Sequence, residues 1–246
     1  MPWSFFFVLL AFYGAVGIFA EGKLGYNVIS GMGVGLAASS KYIGALIMAA
    51  PLVAHFFRYG RESFKRRELY ICLGICVLTF FATTPFSIMD YQLFIEEMTF
   101  EARHFASGHV GSEGDTIRSY TSFLLTTQGP LLPLALASLF WGVYRRSRPV
   151  LLVAASPIIN FIFINRFAVR NTQTILPVIP FLSLLAAITL VGSAQWLGWR
   201  FKSPQRTFFL GGLILVGLAL IIIPFAQSTE NALNLGAFNE REPARI

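Results

Sequence analysis

The segment YNVISGMGVGLAASSKYIGALIMAAPLVAHFF, residues 26–57, determines the fold class. Lys41 is its one charged residue. A single helix of about 32 residues would be about 48 Å long, whereas the hydrocarbon core of a bilayer is about 30 Å thick. The segment is therefore either one strongly tilted helix or two shorter helices. A break is expected near residues 35–40, where glycine and serine weaken the helix.

Six further apolar segments follow the same pattern of long hydrophobic runs between short polar connectors. They cover residues 3–20, 69–86, 122–144, 149–165, 172–198 and 207–226. Since 55% of the chain is hydrophobic and 13% is charged, the composition argues against a soluble globular domain. The sequence predicts an all-α, polytopic transmembrane bundle with about seven or eight spans, forming a single domain over residues 1–246.

The basic residues lie mainly in three connectors between apolar segments. These connectors hold 11 of the 19 Lys and Arg residues, at Arg58, Arg61, Lys65, Arg66 and Arg67, at Arg145, Arg146 and Arg148, and at Arg200, Lys202 and Arg206. This placement follows the positive-inside rule and argues against a nucleic-acid partner. It predicts a multi-pass protein of the cell (inner) membrane, with the connectors in the cytoplasm and the 87–121 loop and C-terminal tail on the outer side.

The outer loop at residues 87–121 contains the pattern of an interfacial helix. Ser87 and Asp90 have the spacing of a capping box. The apolar residues that follow share one helical face, namely Tyr91, Phe94, Ile95, Met98, Ala102 and Phe105. Acidic residues lie largely on other faces, and six of the 12 Asp and Glu residues are in this loop. We therefore expect an amphipathic helix lying along the membrane surface.

Small residues predict close helix packing rather than a cofactor site. Gly31 and Gly35 have the small-xxx-small spacing that lets two membrane helices approach closely. Cys72 and Cys76 are four apart in an apolar run, so they share a helix face and are expected to pack rather than form a disulfide. The three His residues have no metal-ligand spacing, and neither a metal nor a nucleotide cofactor is expected.

Three cations stand out as candidate ligands. Lys41 in an apolar stretch costs at least about 2.5 kcal/mol on insertion scales, and such residues are usually functional. Arg166 and Arg170 lie on the outer side, against the positive-inside bias. Lys41 could instead pair with a carboxylate, and the arginines could simply bind lipid head groups. Gathered at one end, the three would bind a lipid-linked phosphate.

Four motifs, in order along residues 28–185, resemble the GT-C membrane glycosyltransferases, in particular the protein O-mannosyltransferases of family 39. They are the segment from Gly31 to Gly44 around Ser40-Lys41-Tyr42, the Thr84-Pro85-Phe86 stretch before Asp90, the Gly108-His109-Val110-Gly111 turn, and Arg170 with Pro177 and Pro180. The resemblance implies sugar transfer from a polyprenyl-phosphate donor to a glycan, lipid or protein acceptor. It implies donor-phosphate binding by Lys41, Arg166 and Arg170, with His109 and Asp90 near the acceptor.

The chain departs from that family at the catalytic acid. In the family this acid lies in a first outer loop, more than one hundred residues before the lysine-bearing segment, whereas about 40 residues precede Lys41 here. The sequence therefore resembles the C-terminal two-thirds of such an enzyme, and no catalytic residue can be assigned. Two other readings stay open, a transporter or flippase for an anionic lipid or solute, and a non-catalytic membrane subunit.

Overall fold

The computed structural model describes residues 2–107, 115–168, 171–200 and 211–212, and every regular element in these ranges up to residue 200 is helical. The α-helices are α1 (Pro2–Ala20), α2 (Leu24–Ser40), α3 (Ala49–Tyr59), α4 (Arg67–Thr83), α5 (Phe86–Met89), α6 (Tyr91–Ser107), α7 (Thr116–Gln128), α8 (Leu131–Tyr144), α9 (Arg148–Ile164) and α10 (Ile179–Arg200). Short 3-10 helices cover Tyr42–Met48, Gly60–Lys65, Thr172–Thr174 and Leu176–Val178. The all-α prediction is confirmed for the described residues.

Glycine allows α2 to pack closely against α4. A Cβ atom added at Gly31 would lie 2.5 Å from the carbonyl oxygen of Cys72, and one added at Gly35 would lie 2.6 Å from that of Cys76. Both distances are too short for a real carbon atom, so the backbones can approach this closely only because the side chains are missing. The close-packing interpretation of the two glycines is confirmed, and Cys72 is buried in the same contact.

The 26–57 segment consists of two antiparallel pieces, as the broken-helix alternative requires. α2 ends at Ser40, and Lys41 has an extended backbone with φ −160° and ψ 123°. The chain then forms the 3-10 helix at Tyr42–Met48 and continues as α3. The break lies at Lys41, at the end of the predicted 35–40 window, because Gly33 and Gly35 stay helical in their contacts with α1 and α4.

The helices form two halves, each with its own apolar core. The first core contains residues of α1, α2, α3 and the 42–48 segment, and the second contains residues of α7 to α10 and of residues 175–178. Leu152 of α9 and Phe181 of α10 belong to the first core, and the Phe181 ring meets that of Phe12 edge to face at 5.0 Å. These side chains join the two halves along a seam.

Two basic connectors lie at the same end of the structure. Arg58 donates hydrogen bonds to the carbonyl oxygens of Phe19, Ala20 and Glu21 at the C-terminus of α1. Arg148, at the start of α9, donates to the carbonyl oxygen of Phe57 at 3.0 Å. We call this the Arg58 end and the opposite one the Lys41 end. Both arginines bind the otherwise unpaired carbonyls of helix C-termini, where a cation is favoured.

The predicted count of seven or eight spans is not confirmed. Within the described residues, two helical segments are long and apolar enough to cross a membrane, Tyr42–Lys65 and Leu176–Trp196. Two shorter apolar helices cover Ser4–Ala20 and Arg148–Ile164. A helix of 17 residues, such as α2 or α4, is only about 26 Å long, less than a bilayer core of about 30 Å. The predicted 207–226 span lies outside the described residues except for residues 211–212.

The predicted 122–144 span is formed by two helices rather than one. α7 and α8 are bent relative to each other by 111°, so together they are either a broken span or a re-entrant loop. Gly129 sits at the bend with φ +49°, a conformation that favours glycine, and Pro130 follows it. Counting this pair as one span raises the number of candidate spans to three.

We expect Gly31→Ala to lower the stability of the α2–α4 packing by about 1–3 kcal/mol, because the new Cβ must push the α4 backbone away. Gly74→Ala is the matched control, since Gly74 lies in α4 and a Cβ there meets nothing within 4 Å. This control should be neutral or stabilising by up to about 1 kcal/mol through helix propensity. Thermal unfolding of the purified protein in detergent measures both. Equal effects of the two substitutions would contradict the close-packing argument.

Candidate functional site

Lys41 lies at the point where the chain reverses direction. Its backbone N–H donates to the carbonyl of Ala37, and its own carbonyl accepts from Gly44, so the residue links α2 to the 42–48 segment. The side chain is half-buried, and no described carboxylate lies within ion-pair distance of it. Burial lowers the pKa of Lys41, and the negative charge of Glu101 acts in the opposite direction. The ammonium group is thus partly desolvated without an ion-pair partner in the described residues.

The α6 helix lies across the Lys41 end and touches both halves of the structure. Phe94, near its start, meets the ring of Tyr42 at 6.2 Å. Phe105, near its end, meets the ring of Phe167 at 5.9 Å, and its carbonyl accepts a hydrogen bond from the backbone N–H of Ala168. The helix therefore extends from the Lys41 turn to the turn that follows α9.

The amphipathic pattern of α6 is present, but only part of its apolar face is buried. Phe94, Met98 and Phe105 are half-buried, whereas Tyr91 and Ile95 are 61% and 56% exposed. The stripe at positions i, i+4 and i+11 contacts the bundle, and the remaining apolar side chains face away from it. These outward residues, with Phe86, Ile88 and Met89 of α5, form an exposed apolar surface.

The predicted capping box at Ser87 is wrong. Ser87 lies inside the short α5 helix, and its hydroxyl donates to the carbonyl of Thr84 at 2.5 Å. Asp90 itself caps α6, because its carboxylate accepts from the backbone N–H of Leu93 at 3.3 Å. Asp90 was also a candidate acceptor-site residue, and this capping hydrogen bond accounts for a carboxylate at that position.

Arg166 and Lys41 lie at the same end, in the two different halves. Arg166 follows α9 in the turn whose Phe167 and Ala168 contact α6, and its side chain is exposed. Ile43, two residues after Lys41, and Asn160, six residues before Arg166, line one small cavity. The structure thus brings the two cations to the same region, without a direct contact between them. Arg170 and His109, the other predicted ligands, lie outside the described residues.

Glu101 is the described carboxylate with a resolved electrostatic effect on Lys41. It lies on the exposed surface of α6, one turn before Phe105. In the sequence it is not distinguished from the other acidic residues of the outer loop. The signal that could have found it is helical spacing, because Glu101 is seven residues after Phe94 and so lies near the face that meets Tyr42.

A second polar group is buried near the Arg58 end. The ring Nε2 of His55 lies 2.7 Å from Oδ1 of Asn27, and both residues are only 1% exposed. Since the amide oxygen only accepts, His55 carries its proton on Nε2 and donates it. This hydrogen bond links α3 to α2. No described group of His, Cys, Asp and Glu residues has the geometry of a metal site.

Comparison with known proteins identifies no relative of this chain. No family model, curated protein or solved structure matches this chain.

We expect Phe105→Ala to release the C-terminal half of α6 from the bundle, because the Phe105 ring is half-buried against Phe167. Hydrogen–deuterium exchange of residues 98–107 should then accelerate. Phe100→Ala is the control, since Phe100 is 65% exposed on the same helix. If both substitutions gave the same exchange rates, Phe105 would not anchor the helix.

Proposed function

We propose that the chain is a membrane-embedded glycosyltransferase of the GT-C type that accepts a polyprenyl-phosphate sugar at the Lys41 end. The half-buried Lys41 ammonium, without an ion-pair partner in the described residues, is the observation that carries the proposal. The packing alternative required a carboxylate paired with Lys41, and the structure provides Glu101 only as a longer-range influence. A desolvated cation of this kind favours an anionic ligand.

Large exposed apolar side chains support a location in the bilayer. Phe6 of α1, Leu78 of α4 and Phe140 of α8 are 58%, 66% and 76% exposed. In water such surfaces would be unfavourable, whereas acyl chains solvate them. The outward apolar residues of α5 and α6 would extend this surface to the Lys41 end, as an interfacial helix does.

The proposed reaction assigns Lys41 to the leaving group. The acceptor hydroxyl oxygen attacks the anomeric carbon of the sugar, and the bond from that carbon to the phosphate oxygen breaks. The negative charge that develops on the polyprenyl phosphate is stabilised by Lys41, with Arg166 and Arg170 as further candidate ligands. The hydroxyl proton requires a carboxylate base. This base is not assigned to any described residue.

An unwound segment beside a cation also fits a transporter for an anionic lipid or solute. Broken helices with exposed backbone groups are typical of transporter binding sites. The extended residue at Lys41 and the 42–48 3-10 helix provide such a break. A transporter would bind the same phosphate and release the molecule unchanged, so product analysis separates the two functions. A non-catalytic subunit would bind neither donor nor solute alone.

We expect Lys41→Gln to weaken binding of a polyprenyl-phosphate sugar about 10–100-fold, since a charge-assisted hydrogen bond contributes about 1.5–3 kcal/mol. The protein is reconstituted in nanodiscs, and binding is measured with a radiolabelled donor. Lys65→Gln serves as control, because Lys65 is exposed and pairs with Glu62. Binding of the uncharged polyprenol should not change in either variant. Unaltered donor affinity in Lys41→Gln would remove Lys41 from the site.

The affinity for the donor should also fall with increasing pH. Burial lowers the pKa of Lys41, so the ammonium loses its proton at a lower pH than an exposed lysine does. The sugar phosphodiester keeps its charge over this range, and binding is therefore strong below the lowered pKa of Lys41 and is lost above it. Lys41→Arg should abolish this pH dependence, because guanidinium stays protonated. A pH profile that persists in Lys41→Arg would assign the titration to another group.

A further inference from the structure

A small cavity lies in the seam between the two halves, close to the Lys41 end. It is bounded by Ile43, Ile47, Ser156, Asn160, Pro177 and Phe181, among others, and its volume is about 20 Å³. Ser156 and Asn160 are four residues apart in α9, so their side chains lie on the same helix face. The remaining lining residues are apolar.

Both polar residues of this cavity have a buried atom without a hydrogen-bond partner in the described residues. These atoms are the Ser156 hydroxyl oxygen and Oδ1 of Asn160, and the residues are 4% and 5% exposed. A buried polar group without a partner is costly, most of all in an apolar environment. Ser138 and Thr84 also have unpaired hydroxyls, but neither lines this cavity. Two such atoms on one small space point to a ligand shared by both.

We propose that the cavity holds one ordered water molecule that bridges Ser156 and Asn160. One water molecule needs a cavity of about 10–15 Å³, measured as the space open to the centre of a water-sized sphere. The volume here, about 20 Å³, is enough for one water and too small for a larger ligand. The water donates one hydrogen to Oδ1 of Asn160 and exchanges a second hydrogen bond with the Ser156 hydroxyl. A monovalent cation is disfavoured, because no lining residue is charged and Lys41 lies two residues before Ile43. The proposal does not depend on the proposed function.

Radiolytic hydroxyl labelling tests the water directly, because radicals formed from a bound water oxidise the side chains around it. We expect Leu46, Ile47 and Phe181 to be labelled in the wild-type protein in nanodiscs, although Ile47 and Phe181 are buried. Labelling at these residues should be lost in the Ser156→Ala, Asn160→Leu double variant. Exposed Tyr91 is the internal control and should be labelled equally in both proteins. An unlabelled cavity in the wild type, or equal labelling in the double variant, would overturn the proposal.

Thermal unfolding provides a second, independent measurement. Ser156→Ala leaves the Asn160 amide and the water with one hydrogen bond too few, and Asn160→Leu does the same to the Ser156 hydroxyl and the water. Each single substitution should therefore lower Tm. The double variant removes both polar atoms, and its Tm should return toward the wild-type value. Strictly additive losses would contradict a shared ligand. A rise in Tm specific to sodium ions, absent in Asn160→Leu, would identify the ligand as a cation and refute the water.

Discussion

The chain reversal at Lys41 is the constraint on which the first half of the structure depends. Because α2 stops at Ser40, Lys41 is extended and residues 42–48 form a 3-10 helix, α3 returns beside α1 and brings Arg58 back to the C-terminus of α1. Gly44 permits this return, since a Cβ there would overlap the carbonyl of Ala37. A continuous helix over residues 26–57 would have carried Arg58 to the opposite end and left the carbonyls of residues 19–21 without their partner.

Local composition predicted part of this half. The close contacts at Gly31 and Gly35 and the shared end of the first two basic connectors follow from residue types and spacing, whereas the broken helix was one of two alternatives that the sequence left open. The α7–α8 bend was not predicted, although Gly129-Pro130 marks it in the sequence. A hydropathy window averages over these two residues, because leucine on both sides keeps the mean high. Glycine and proline therefore indicate the helix ends here better than the length of the apolar run does.

The candidate site could be predicted only in part. Only the broken-helix alternative put Lys41 near the same face as Arg166, and in the structure the two residues lie at one end of their halves. The alternation of segments does not show which helices are neighbours, so it could not show that α6 extends from the Lys41 turn to the turn after α9, or that Glu101 acts on Lys41. Asp90 shows a second limit of prediction from the sequence. Its type and position suggested an acceptor site, whereas its hydrogen bond to Leu93 gives it a capping role.

The polar groups near the Lys41 end lie where the two halves meet. Within the first half, glycine and alanine let the helix backbones approach closely, so that the helices pack by apolar contact, as at Gly33 against Ala11. In the seam, α9 contains no glycine that would let it approach the 42–48 segment as closely. A small volume is left there beside Ser156 and Asn160. An apolar side chain on α9 could have filled that volume. Polar residues there instead require a hydrogen-bonding ligand, and Ile43, which lines the same cavity, is two residues from Lys41.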